Sequence, residues 1–340
     1  MEKVRFGKTE LMVSRVALGG IPIMRISKTE ASRLVRETLD LGINFIDTAN
    51  GYADSEEKIG EGIKGVKRED LVITSKSMAK DKKSFIDHID LSLKRLGTDY
   101  IDIYQIHNIA SEALRDTFMG SGGAIEGLEE AVKAGKVRFP AFSSHSNHIA
   151  IELMKGGKFF AVQLPFNYID NSAAEEAIPL AKKLDLGFIA MKPMGGGLLD
   201  NAGLSFRFLG QYDSVIADPG IEALEEIREI VGIVNKKEAL SENDKKEIER
   251  LREELGPTWC HRCDYCLPCP QEIHINFALN VKSVYKRMTP ERARVLVGTA
   301  IEKARTCTGC RTCVSRCPYN LDIPELFKAN IAYWDSLQAV

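Results

Sequence analysis

Eight cysteines fall in the last quarter of the 340-residue chain, in two runs: Cys260, Cys263, Cys266 and Cys269, followed by Pro270, and Cys307, Cys310, Cys313 and Cys317, followed by Pro318. Thiolates at this spacing, closed by proline, hold iron–sulfur cubanes, and in two-cluster arrangements the last cysteine of a run reaches to the other cluster. The second run is C-x2-C-x2-C-x3-C-P; the first has two rather than three residues before its last cysteine. Two [4Fe–4S] clusters are expected, one on Cys260, Cys263, Cys266 and Cys317, the other on Cys307, Cys310, Cys313 and Cys269. Structural zinc is the alternative, but zinc ribbons use two separated CxxC pairs rather than a run of four cysteines closed by proline. Disulfides need an oxidising compartment. The opening residues MEKVRFGKTELMVSRVALGG carry no apolar run suited to a signal peptide, and no segment is apolar enough to span a bilayer, so a cytoplasmic location is expected.

A second reactive group lies in the first third of the chain: Asp47 and Tyr52 in NFIDTANGY, Lys76 in VITSK and His107 in YIDIYQIH. A phenol is a poor acid at neutral pH until a nearby ammonium stabilises its anion, and a carboxylate that holds the ammonium completes the arrangement. A histidine facing the same point orients and polarises a carbonyl. Singly, each has a structural reading: Asp47 as a loop cap, Tyr52 as a rim aromatic, Lys76 as a solvated charge, His107 as a hydrogen-bonded core histidine.

The elements that must position these residues are eight short apolar runs alternating with helical periodicity: Val16–Leu18, Asn44–Thr48, Leu71–Thr74, Ile101–Ile106, Val137–Phe142, Ala161–Leu164, Gly187–Met191 and Ser214–Ala217. Repeated βα units of this number predict an α/β fold, a (β/α)8 TIM barrel, rather than an open doubly wound sheet, since no GxGxxG follows the first strand. Ser27 and Glu30 form a capping box for a helix ending at Gly42, and Ser84–Leu96 puts Ile86, Ile89, Leu93 and Leu96 on one face before Gly97. The expected domains are a barrel over 1–235, a charged linker helix over 236–256, and a small, mainly helical ferredoxin-like 4Fe-4S domain over 257–340 with its clusters as its core. In such a barrel the chemistry sits at the carboxyl ends of the strands, which is where Asp47, Lys76 and His107 fall.

Taken together, FIDTANGY, SEEKIGEGI, VITSK and LGTDYIDIYQIH resemble the aldo-keto reductases in order and spacing. The resemblance implies Tyr52 as general acid toward a substrate carbonyl, Lys76 and Asp47 tuning it, and His107 positioning the oxygen. It also implies contacts to a nicotinamide cofactor from Ser143 and Gln163. Met191 stands where many relatives stack an aromatic on the nicotinamide. The loop MKPMGGG, with Pro193, Gly195, Gly196 and Gly197, resembles the pyrophosphate loop. After the eighth strand, ADPGIEALEEIRE brings Gly220 and places Glu226 where NADPH-preferring relatives carry an arginine, which favours NADH. The whole chain is similar to the branch of the family with a carboxy-terminal ferredoxin-type dicluster domain.

The charge is mixed along the chain and sums to −2, so no nucleic-acid or membrane-surface partner is expected; a small-molecule substrate and a ferredoxin or other redox protein are. A nicotinamide moves two electrons and each cubane one, so linking them calls for a splitter such as a flavin, for which no motif is evident. Three readings stay open: a carbonyl-reducing enzyme whose clusters relay electrons, a nicotinamide-dependent reductase with structural or redox-sensing clusters, and a non-catalytic electron-transfer subunit. His145 and His148 in SSHSNH read as rim residues rather than as a metal site.

Overall fold

The computed structural model describes residues 1–338. Ten strands follow in chain order: β1 (Lys3–Arg5), β2 (Met12–Ser14), β3 (Leu18–Gly19), β4 (Phe45–Asp47), β5 (Val72–Ser77), β6 (Ile101–Ile106), β7 (Val137–Ser143), β8 (Ala161–Pro165), β9 (Gly187–Met191) and β10 (Val215–Asp218). From β3 to β10 each strand pairs in parallel with the next in sequence. Parallel bridges Val16 to Ala217 and Gly19 to Gly220 bring the first strand to the last, so the sheet curls into a barrel with the helices outside. Strands β5 and β6 are buried at every residue, so the polar side chains of VITSKS and IDIYQI draw on neighbouring elements for partners, although Gln105 Oε1 is left without one. Asp102, for example, accepts from Arg68 at 2.6 Å, Arg138 at 2.7 Å and the Ile73 N–H at 2.9 Å, tying β6 to its neighbours.

The hairpin of β1 and β2 was not foreseen, because two three-residue strands are too short to show alternation. It closes the amino-terminal end of the barrel. Phe6 follows β1 and packs edge-on against Phe45 with ring centres 5.4 Å apart. A side chain at Gly187 would fall 2.3 Å from the Phe6 ring, so only glycine lets the plug seat. With the base filled by Phe6, Leu11, Val13, Val72, Ile103 and Ile189, the carboxyl ends of the strands are left to form a cavity.

Two helices show how the local code was met. Helix Lys28–Asp40 has its capping box in place: Glu30 N–H donates to Ser27 Oγ at 3.2 Å and Ser27 N–H to Glu30 Oε2 at 2.9 Å. Helix Lys82–Leu96 begins earlier than Ser84, because the Asp81 carboxylate accepts from the Ser84 N–H at 2.9 Å and serves as the cap. Gly97, at φ 66°, ends it.

The charged stretch forms helix Glu242–Leu255, and it lies on the barrel rather than between domains: Ile248 is buried, Asp244 pairs with Arg207 at 2.7 Å, and Arg252 Nε donates to Tyr168 O at 2.7 Å. The cysteine-bearing region adds helices Ile275–Leu279, Val281–Arg287, Pro290–Ala304, Thr312–Arg316 and Ile323–Gln338. Here the expectation that clusters form the core meets a difference. These helices enclose their own apolar core of Ile275, Val281, Val297, Ile301, Phe327 and Trp334, with most of the cysteines at its margin.

That region is docked over the open end of the barrel. Trp259 occupies the space where a Gly195 side chain would stand, 2.4 Å from such a Cβ. Ser283 Oγ donates to Gly196 O at 3.0 Å, Lys286 Nζ to Gly197 O at 2.9 Å, and His261 Nδ1 lies 2.8 Å from Asp170 Oδ1. The Tyr265 hydroxyl meets Ser146 Oγ at 3.1 Å.

Candidate active site

Tyr52 sits in the turn between β4 and helix Ser55–Ile63, and that helix is pinned from below. Ser55 Oγ donates to Gly20 O at 2.8 Å, and the buried Glu56 carboxylate accepts from Ser75 Oγ at 2.7 Å. Lys76, next along β5 from Ser75, points its ammonium at Asp47 Oδ2 at 2.5 Å and at Thr48 O at 2.8 Å. The same ammonium lies 5.1 Å from the centre of the Tyr52 ring, whose edge faces His107 at 6.0 Å. The four residues singled out from the sequence thus meet at one point, at the wall of a cavity of about 350 Å³. Ser143, Gln163, Met191, Pro193, Gly196, Gly197, Gly220 and Glu226 line the same cavity. Gly195 does not; it faces an adjoining space at the seam with the cysteine region, with Trp259 and Cys260.

Charge at this site follows from burial. Desolvation pushes the Tyr52 phenol up to about 12; the Lys76 and Arg287 cations pull the other way and Asp47 and Asp218 add to the rise, so the hydroxyl keeps its proton. Burial, the largest single effect, lowers the Lys76 pKa, yet Asp47, Tyr52 and Asp218 together outweigh it and the ammonium is held above its usual range. His107 is driven down to about 3, first by burial and then by the Lys76 and Lys192 charges, so it is a neutral imidazole. A protonated phenol and a neutral imidazole at one cavity point are a proton donor and a hydrogen-bond donor for an incoming carbonyl oxygen.

Asp218, at the end of β10, was missed. It is buried beside Asp47, and burial, then the Asp47 charge, raise its pKa well above the carboxylate range. Asp47 Oδ1 and Asp218 Oδ1 are both buried without a hydrogen-bond partner, and the raised Asp218 pKa makes its proton the one available to them. Its position at the end of the eighth strand, before Pro219 and Gly220, was the available signal. Gln163 Nε2 donates to Asp218 Oδ2 at 2.9 Å, which fixes the amide and leaves Gln163 Oε1 buried without a donor. An unpaired acceptor at the cavity wall fits the carboxamide N–H of a nicotinamide. Glu226 also differs from the expectation in detail. Its Oε2 accepts the Glu222 and Ala223 N–H groups at 3.0 and 3.1 Å, capping helix Leu224–Lys236, while Glu222 and Glu229 share its end of the cavity.

Three cations that were likewise missed gather at the opposite end. Lys192, left-handed at φ 58°, contacts His145 Nε2 with its ammonium, and His145 Nδ1 in turn lies 2.8 Å from Asn108 Oδ1. Arg262 reaches Ser283 Oγ at 3.0 Å, and Arg287 Nε donates to Ser283 O at 3.0 Å. Burial and the neighbouring guanidinium groups push Lys192 well below its ordinary pKa, and burial, with Arg262, lowers Arg287 to about 9.

All eight thiols are free. Cys263 feels the charges of Cys260 and Cys317, whereas Cys313 feels those of Cys269 and Cys307. The last cysteine of each run therefore lies with the other run. Among the described residues no three His, Cys, Asp or Glu side chains converge on a single-ion site. Two crossed sets of thiols beside an apolar core fit iron–sulfur cubanes as the groups they would hold.

The model of the Aldo/keto reductase family matches residues 15–209, and that of a 4Fe-4S dicluster domain matches residues 259–322. Among curated proteins, the chain is 30% identical over 213 residues to the uncharacterized oxidoreductase YqkF of Bacillus subtilis, covering 58% of this chain and 67% of that one. It is 27% identical over 229 residues to the NADH-specific methylglyoxal reductase of Escherichia coli, covering 58% and 69%. Among solved structures, the holo form of an aldo-keto reductase from Bacillus halodurans superposes with a TM-score of 0.64 at 23% identity, over 74% of this chain and 96% of that one. An aldo-keto reductase from Klebsiella pneumoniae in complex with NADPH gives 0.62 at 22% identity, over 74% and 95%.

Proposed function

Since the chain belongs to the aldo/keto reductase family and carries a 4Fe-4S dicluster domain, we propose that this oxidoreductase reduces a small carbonyl compound, with Tyr52 as general acid. The observation that carries the reading is the buried Asp47–Lys76 pair at 2.5 Å, set under a protonated Tyr52 and beside a neutral His107 in one cavity. Bound against Ser143 and Gln163, a nicotinamide supplies the hydride. The chain's own part is the proton. His107 donates a hydrogen bond that fixes the carbonyl oxygen, Tyr52 passes its proton to that oxygen as negative charge builds there, and Lys76 stabilises the phenolate left behind. Asp47 holds Lys76 in place, and Asp218 neutralises the unpaired oxygen of Asp47. The acidic end of the cavity, with Glu222, Glu226 and Glu229, supports NADH over NADPH, because a ribose 2′-phosphate would be repelled there.

The crossed neighbours of Cys263 and Cys313 support two clusters, on Cys260, Cys263, Cys266 and Cys317 and on Cys307, Cys310, Cys313 and Cys269. Cys260 lies close enough to Lys192, at the cavity wall, to act on its charge, which supports a relay of single electrons to or from an outside carrier.

The test is Tyr52→Phe, assayed for reduction of carbonyl compounds with NADH and NADPH side by side on cluster-loaded protein. Loss of a general acid predicts a fall in kcat of about 10²- to 10⁴-fold with iron content unchanged, and a lower KM for NADH than for NADPH in the parent. Unchanged turnover in the variant would remove Tyr52 from the mechanism.

A further inference from the structure

The catalytic end of the cavity carries positive charge that the protein does not balance. Lys192 and Arg287 line the same cavity as Tyr52 and His107, and among the described residues neither has a carboxylate in salt-bridge range. Arg262 has an evident counter-charge, since it lies between Cys260 and Cys263 and acts on the Cys260 thiol, which would be part of an anionic cluster. Lys192 is partly served by the Asp170 carboxylate and then by the same thiol. Arg287 is not served. Its side chain gives one hydrogen bond, to the carbonyl of Ser283 one turn back on its own helix, and its charge reaches Tyr52 across the cavity. A half-buried guanidinium left without an acceptor at a cavity wall is costly unless a ligand supplies one. Lys192 is also held in a left-handed conformation that a lysine rarely adopts, a strain found where a side chain is being aimed.

The geometry points to a substrate that bears its own carboxylate: a small 2-oxo acid, with its keto oxygen at Tyr52 and His107 and its carboxylate held by Arg287 of the dicluster domain and Lys192 of the barrel. This rests on the carbonyl-reductase reading and adds the substrate class. One ligand then supplies an acceptor for both groups, which line one cavity. In the reaction the ketone carbon takes a hydride from the reduced nicotinamide and its oxygen takes the Tyr52 proton, giving a 2-hydroxy acid and oxidised nicotinamide. Arg287 stands between two candidate anions, since its charge bears on Tyr52 while its guanidinium lies beside Gly196, and Lys192 bears on His107 and His145.

Calorimetric titration of cluster-loaded protein with oxamate and with oxamide, with and without NADH, tests this without turnover. Oxamate should bind at least about tenfold more tightly than oxamide, the difference should collapse in Arg287→Gln, and Arg287→Lys should restore part of it. Iron content and circular dichroism of each variant report folding. Equal binding of the two ligands by the parent overturns the proposal, as does a preference for oxamate that survives in Arg287→Gln. A loss confined to NADH affinity in that variant also overturns it, and assigns the arginine to the cofactor's pyrophosphate. If oxamate is preferred and the preference depends on Arg287, while pyruvate is not reduced, the carboxylate site stands and the hydride-transfer reading falls.

Discussion

Tyr52 and Asp218 show that burial, more than any single charge, sets the protonation states at this site. The sequence suggests that Lys76 would make Tyr52 more acidic, yet desolvation lifts the phenol to about 12 and the ammonium only moderates the rise. The acid is thus fully protonated at neutral pH, and His107, down at about 3, is fully neutral. The kcat/KM of carbonyl reduction should therefore be flat from about pH 6 to 8 and fall as pH rises, first as Arg287 at about 9 loses its charge and then toward the phenol's range, since the reaction needs the protonated forms. An inflection near 6.5 would mean that His107 ionises and is not the neutral donor assigned to it. Asp218 belongs to the same balance. Asp218→Asn keeps a donor for Asp47 Oδ1 and should retain more of the rate than Asp218→Leu, which leaves that oxygen buried and unpaired. The reverse order would show that Asp218 acts through its charge rather than through a proton.

At the scale of elements, the barrel is held in register by polar staples as well as by its apolar interior. Asp102 on β6 joins Arg68, Arg138 and the β5 backbone, and its carboxylate is fully buried. Asp102→Asn leaves two guanidinium groups short of their partner, and should cost about 3 to 5 kcal/mol, seen as a fall in Tm of roughly 10 °C. A shift within about 2 °C would place the register in the apolar packing alone. The strands that align the catalytic residues were legible because Leu71–Thr74 and Phe188–Met191 are runs of four apolar or β-branched residues and β6 sets Ile101, Ile103, Tyr104 and Ile106 around two polar residues, and Lys76 and His107 beyond the runs of β5 and β6 mark the cavity. Other elements were not. The hairpin of β1 and β2 is too short for its period to show, and helix Glu242–Leu255 has so thin a stripe that Ile248 alone had to reveal its docking. Lys192 and Arg287 were hidden for a different reason: their meaning depends on residues some 95 positions apart in sequence, brought together only by the docking of one region on another.

For the molecule as a whole, the docking of the dicluster domain over the barrel mouth brings the first cysteine run to the seam with the active-site cavity. Anaerobically purified protein should hold about eight iron and eight sulfide per chain if both cysteine sets are filled. An electron paramagnetic resonance signal of reduced clusters that grows on adding NADH would show electronic coupling between barrel and clusters. Clusters silent to NADH but reducible by a low-potential donor would leave the relay to an outside carrier and exclude the nicotinamide as its source. The docking has a practical side too. Trp259, Ser283, Lys286 and Arg287 shape the space above Gly195, Gly196 and Gly197, and all four belong to the cysteine-bearing region. A chain cut before Trp259 is then more than a barrel without its clusters: it has an unroofed active site, and any catalogue of substrates compiled on it describes a different pocket.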